Sequence, residues 1–101
     1  MLDLRPEHYR LVRGILERYV PEYEVRAFGS RVAGCAREFS DLDLAIITSE
    51  PLSFELLGQI RDAFSESDLP FKVDVLDWST TSADFRRLIE KKYLVLKDAK
   101  H

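Results

Sequence analysis

The chain of 101 residues is 46% hydrophobic and 33% charged, which suits one small globular domain over residues 1–101 and leaves no room for a second. A formal net charge of -3 and a sequence pI near 5.4 argue against a general basic surface for nucleic acid, and so against a polymerase. No apolar run approaches the length of a membrane span, the start Met1-Leu2-Asp3-Leu4-Arg5 lacks a signal peptide's basic and apolar stretches, and the lone cysteine and two histidines give neither an internal disulfide nor a zinc cluster, so a cytoplasmic protein is expected.

In chain order, Pro6 to Val20 predicts a helix, with Leu11, Val12, Ile15, Leu16 and Tyr19 as one apolar stripe and Pro21 as its stop. His8 in its first turn reads as an exposed polar residue. Val25 to Phe28 alternates as a strand, Gly29-Ser30 breaks it, and Arg31 to Arg37 is long enough for about two helical turns. Cys35 reads as a small packing residue within that helix. A second strand begins at Asp41, followed by a turn at Thr48-Ser49-Glu50-Pro51. Ser53 caps a helix reaching Glu66, with Leu56, Leu57, Ile60, Ala63 and Phe64 inward. Phe71 to Trp78, rich in β-branched and aromatic residues, is a third strand. Ser79 opens a last helix to Lys92, whose Phe85, Leu88 and Ile89 form an apolar stripe and whose Arg86, Arg87, Lys91 and Lys92 form a solvated basic face. Tyr93 to Leu96 suits either a short edge strand or a surface for a partner, and Lys97 to His101 frays. The order of elements predicts an α/β fold: a small mixed sheet with helices mainly on one face and an acidic face left open.

That acidic face carries the chemistry. Side chains alternate along a strand, so Asp41 and Asp43 project to one side while Leu42, Leu44 and Ile46 project to the other. Carboxylates held that close repel each other unless a cation neutralises them, and hard oxygen donors favour Mg²⁺ or Mn²⁺. Upstream, Gly29 lets a backbone approach a ligand closely, Ser30 offers a hydroxyl, and the start of the following helix attracts phosphate. In the third strand Val73 and Val75 share a face, which puts Asp74 on the opposite, open face and Asp77 on the valine side. Asp74, beside Lys72, thus reads either as a further carboxylate of the open face or as half of a solvated surface pair.

Gly29-Ser30, ten intervening residues and then Asp41-Leu42-Asp43 resemble the signature of the DNA polymerase β-type nucleotidyltransferase superfamily. The run Phe28-Gly29-Ser30-Arg31, Gly34, Ala36-Arg37 and Ser40-Asp41-Leu42-Asp43-Leu44 is similar, more narrowly, to its minimal nucleotidyltransferase (MNT) branch. One position departs: that branch commonly has an arginine where this chain has Ala33, which weakens phosphate charge pairing by the helix. The resemblance implies a nucleotidyltransferase fold and a metal site of Asp41, Asp43 and Asp74 that also binds the phosphates of a nucleoside triphosphate, expected to be ATP. Asp74 completes the metal site and helps deprotonate an acceptor hydroxyl, and Gly29 and Ser30 hold the outer phosphates with Arg31 as a charge partner. It further implies a small helical HEPN-domain companion encoded nearby, with AMP passed to one of its tyrosines in a toxin-antitoxin pair.

A chain this short encloses no pocket for both a base and a large acceptor, so another chain is expected to supply the acceptor, with Tyr93 to Leu96 as a candidate contact. Two rivals stand beside this reading. One is a nucleotide-binding antitoxin that neutralises its partner by contact alone. The other is a small-molecule nucleotidyltransferase of the aminoglycoside-modifying kind, which usually needs a further acceptor-binding domain.

Overall fold

Alternation along the strands decides which face of the sheet becomes core. In the computed structural model, which describes residues 2–37 and 39–100, the chain runs α1 (Pro6–Tyr19), β1 (Glu24–Phe28), α2 (Ser30–Ala33), β2 (Leu42–Ile47), α3 (Phe54–Ser65), β3 (Val73–Asp77), α4 (Ala83–Lys91) and β4 (Leu94–Lys97), with a 3-10 turn over Trp78–Thr80. The sheet order is β3-β2-β1-β4. β1 pairs antiparallel with β2 and β4, whereas β2 and β3 are parallel and are joined through the crossover helix that parallel pairing demands, here α3. Val25 and Ala27 of β1, Leu42, Leu44 and Ile46 of β2 and Val75 of β3 bury one face against Val12 and Leu16 of α1 and Ile60 and Phe64 of α3. Ser53 caps α3 by accepting a hydrogen bond from the Leu56 N–H at 3.1 Å.

The opposite face carries Arg26, Phe28, Asp43, Ala45, Asp74 and Leu76 by the same alternation. It is not bare. Phe85 of α4 meets Phe28 edge-to-face with ring centroids 5.9 Å apart, Arg86 donates to the Trp78 and Ser79 carbonyls, and Ala45 is fully buried. Helices thus lie mainly on one face, while α4 crosses part of the face expected to be open.

Several boundaries differ from expectation for identifiable reasons. α2 is one turn, not two, because Gly34 at φ +85° adopts the left-handed conformation and closes the turn with its N–H on the Ser30 carbonyl. Residues beyond it leave the helix, and Cys35 is exposed rather than packed. Of the two serines that suit a helix start, Ser82 and not Ser79 caps α4, accepting the Phe85 N–H at 3.2 Å. Ser79 instead lies in the 3-10 turn. Of the α4 stripe only Ile89 is buried, leaving Phe85 and Leu88 exposed.

His8 is half-buried, its ring edge-on to Phe71 at 5.6 Å. Between the two readings of Tyr93 to Leu96, the structure gives an edge strand paired with β1. Lys97 does not fray: it is buried in β4, and its ammonium donates to the Pro21, Tyr23 and Asp98 carbonyls. His101 lies outside the described residues. No helix among the described residues is long and apolar enough to cross a membrane.

Candidate active site

Pairing register brings the aspartates together. Phe28 of β1 is opposite Asp43 of β2, and Asp43 is opposite Asp74 of β3, so the three form a row across adjacent strands on the second face. Neighbouring strands lie about 4.8 Å apart, which sets Asp43 and Asp74 side by side. Asp41, exposed and one residue ahead of β2, is two positions from Asp43 and acts on it electrostatically. Burial pushes the Asp43 carboxyl above the usual carboxylate range, and the charges of Asp74 and Asp41 push it further in the same direction.

Gly29 joins β1 to α2 directly over this row. Its φ of +83° falls where a side chain is disfavoured, and a Cβ built there collides with the Asp43 carboxylate. Glycine is therefore required twice, once by conformation and once by the closeness of Asp43. Ser30 follows as the first residue of α2, half-buried. Val32 and Ala33 already donate their N–H groups to the Gly29 carbonyl, and a single turn carries little dipole. What Gly29 and Ser30 offer a phosphate is accordingly close backbone approach and a hydroxyl.

Arg31 is placed elsewhere. Only 6% exposed, it donates through Nε to the Ser40 carbonyl at 2.9 Å and through Nη1 to the Asp3 carbonyl at 3.0 Å, with its guanidinium 4.1 Å from the Phe71 ring centroid. It lines a separate cleft with His8 and Arg37, and its hydrogen bonds to the Ser40 and Asp3 carbonyls brace the loop before Asp41.

The third strand keeps its two aspartates apart. Asp74 is half-buried on the Asp43 side, and Lys72 Nζ lies 3.3 Å from its Oδ1. Asp77 faces the other way, 4% exposed, and accepts hydrogen bonds from the Thr48 hydroxyl, the Leu52 N–H at 2.7 Å and the Ser79 N–H at 3.0 Å and hydroxyl at 2.8 Å. Burial pushes its pKa up, but these hydrogen bonds outweigh it and hold the carboxyl below the usual range. It is a structural tie between β3, the segment after β2 and the 3-10 turn.

A cleft of about 920 Å³ opens beside the carboxylates, lined among others by Phe28, Asp43, Phe71, Lys72, Asp74 and Phe85. That volume lies within the range of small-molecule and cofactor sites. Lys72 and the Phe28–Phe85 wall escaped sequence reasoning as site components. The alternation that singled out Asp74 also places Lys72, two residues earlier, on its face; the aromatic wall depends on where α4 lands, for which the sequence carries no signal.

Asp43 and Asp74, opposite each other across the β2–β3 pairing, are hard-oxygen donors of the kind that take a divalent ion, and the repulsion that Asp43 feels from Asp74 and Asp41 is what such an ion would relieve. Among the described residues, no three carboxylate, histidine or cysteine side chains stand together as a set that could hold a metal ion, and Asp74 is engaged by Lys72.

Residues 14–101 match the family model for polymerase beta nucleotidyltransferases. A Haemophilus influenzae protein described as a probable protein adenylyltransferase, MntA, is 55% identical over 97 residues, which cover 96% of this chain and 85% of that relative. Among solved structures, a toxin-antitoxin with AMP-PNP superposes with a TM-score of 0.76 at 19% identity, covering 91% of this chain and 74% of the other. A tri-AMPylated Shewanella oneidensis HEPN toxin in complex with MNT antitoxin gives a TM-score of 0.67 at 18% identity, covering 90% and 70%. At these identities the solved structures establish a shared fold.

Proposed function

This chain belongs to the polymerase β nucleotidyltransferase family, and from that premise we propose that it transfers AMP from ATP to a tyrosine hydroxyl of a HEPN-type helical partner, acting as that partner's antitoxin. The observation that carries the reading is the register placing Asp43 beside Asp74 with Gly29 pressed on the Asp43 carboxylate, because it joins a metal-binding row to a phosphate-approach turn. A protein acceptor is supported by the description of the Haemophilus influenzae relative as a protein adenylyltransferase and by the AMP-modified HEPN toxin bound to an MNT antitoxin.

In this mechanism Asp41, Asp43 and Asp74 would hold a divalent cation, Mg²⁺ or Mn²⁺, which would supply charge neutralisation for the phosphates and Lewis acidity toward the acceptor hydroxyl. Gly29, lacking a side chain, lets the triphosphate lie against the backbone, and Ser30 donates its hydroxyl to an outer phosphate oxygen. Phe28 and Phe85 exclude water from one side of the cleft. Asp74 accepts the proton of the tyrosine hydroxyl as its oxygen bonds to the α-phosphorus. The bond between the α-phosphorus and the bridging oxygen breaks at the same centre, and pyrophosphate leaves.

The test is incubation of the purified chain with labelled nucleoside triphosphates, Mg²⁺ and the HEPN partner. Label on a partner tyrosine, strongest with ATP, is the expected result. Tight binding to the partner with no label from any nucleotide would instead identify an antitoxin that works by contact.

A further inference from the structure

The three carboxylates of the site are not equally provided with counter-charge. Asp74 has the Lys72 ammonium 3.3 Å from Oδ1, whereas among the described residues no salt bridge reaches Asp41 or Asp43. Lys72, immediately ahead of the edge strand β3 and with its carbonyl accepting the Leu42 N–H, precedes Asp74 by two residues, and both line the cleft. The lysine side chain is 72% exposed and the aspartate 46%, an exposure at which an ion pair does little for the fold. Its position suits a different task. An ammonium on a flexible stem is a movable point charge, able to leave one anion for another nearby without disturbing the backbone. A carboxylate oxygen occupied by Lys72 is less available to a divalent ion, and triphosphate entering the same cleft gives the ammonium another anionic partner.

We propose that Lys72 is a resident counter-ion of Asp74 that competes with the divalent cation for this carboxylate, so that metal loads fully only when nucleotide phosphates draw the ammonium away. The inference rests on the reading of Asp41, Asp43 and Asp74 as the metal site, and deepens it by coupling metal entry to nucleotide entry.

The experiment is calorimetric titration of Mn²⁺ alone, without nucleotide, into the full chain and into Lys72→Met, Lys72→Arg and Asp43→Asn, each checked for folding by circular dichroism. Lys72→Met should bind Mn²⁺ about two- to fivefold more tightly than the wild type, the range that loss of one exposed ion pair corresponds to. Lys72→Arg, which keeps the charge, should stay near the wild-type affinity. A non-hydrolysable ATP analogue in the cell should narrow the gap between wild type and Lys72→Met. Unchanged or weaker Mn²⁺ binding by a folded Lys72→Met overturns the competition while leaving the metal site standing. Unaltered Mn²⁺ binding by Asp43→Asn would remove the metal site itself, and the competition with it.

Discussion

Asp43 on the inner strand β2 and Asp77 on the edge strand β3 are both carboxylates, yet their environments push them in opposite directions. For Asp43, burial and then the charges of Asp74 and Asp41 raise the folded-state pKa above the unfolded value. The folded chain then binds the proton more readily than the unfolded one, so ionised Asp43 costs stability at neutral pH, and the cost disappears as pH falls through the folded pKa. Without metal, Asp43→Asn should melt at the same temperature as the wild type or higher, while losing metal-dependent transfer. A large fall in metal-free melting temperature would make the aspartate row structural. For Asp77 the hydrogen bonds from Thr48, Leu52 and Ser79 lower the folded pKa despite burial, so its stabilisation is complete above the unfolded pKa and is lost as pH falls through the folded pKa. Asp77→Ala should lower stability by about 2–3 kcal/mol in denaturant unfolding, as expected for removing hydrogen bonds to a buried charge. Asp74→Asn should unfold near the wild-type midpoint but lose turnover by about 100-fold or more. The reverse pattern, an inactive Asp77→Asn beside a fully active Asp74→Asn, would assign the third carboxylate to the wrong face.

Elements fail differently from residues, and the two glycines at the ends of α2 separate the effects. Both have positive φ, but a Cβ at Gly29 strikes Asp43 whereas one at Gly34 meets nothing within 4 Å. Gly34→Ala should therefore cost only the left-handed backbone penalty of about 1–2 kcal/mol, with transfer by the folded protein intact. Gly29→Ala should add displacement of Asp43 to a similar penalty and abolish transfer in protein that is still folded, measured by parallel denaturation and labelling assays. The strands were legible because a period of two leaves no doubt about faces: Val73 and Val75 inward forces Asp74 outward, whatever the partner strand. Helix ends were less so. Gly34 stands inside a run otherwise fit for two turns, Ser79 and Ser82 both suit a cap, and only tertiary packing chooses between them. The direction of Arg31 was not legible because one turn of helix does not dictate which way a long side chain reaches, and Asp3, Ser40 and Phe71, far apart in sequence, hold it. Lys97, charged and near the end of the chain, gave no sign that its ammonium would be buried against three carbonyls.

At the scale of the whole molecule, the cleft of about 920 Å³ has the volume of a small-ligand site, and under the proposed transfer the acceptor comes to its mouth. Of Tyr93 to Leu96, the candidate docking contact, Val95 is exposed and Leu96 is buried, while Tyr93, just ahead of β4, is half-buried with its ring 4.5 Å from the Arg26 guanidinium carbon. Truncating Tyr93 would disturb the sheet as much as any interface. The cleaner separation of binding from chemistry uses the carboxylates. Asp41 is exposed and Asp43 owes its perturbed pKa to burial and like charge, so replacing both by asparagine removes repulsion without opening a cavity. The Asp41→Asn/Asp43→Asn variant should thus bind a HEPN-type partner with wild-type affinity and leave its tyrosine unmodified, measured by calorimetry and by mass spectrometry of the partner. In cells carrying the partner, that variant should fail to restore growth if covalent transfer is what neutralises it. Full neutralisation by a variant that binds but transfers nothing would assign the antitoxin effect to contact, with the aspartate row serving nucleotide binding alone.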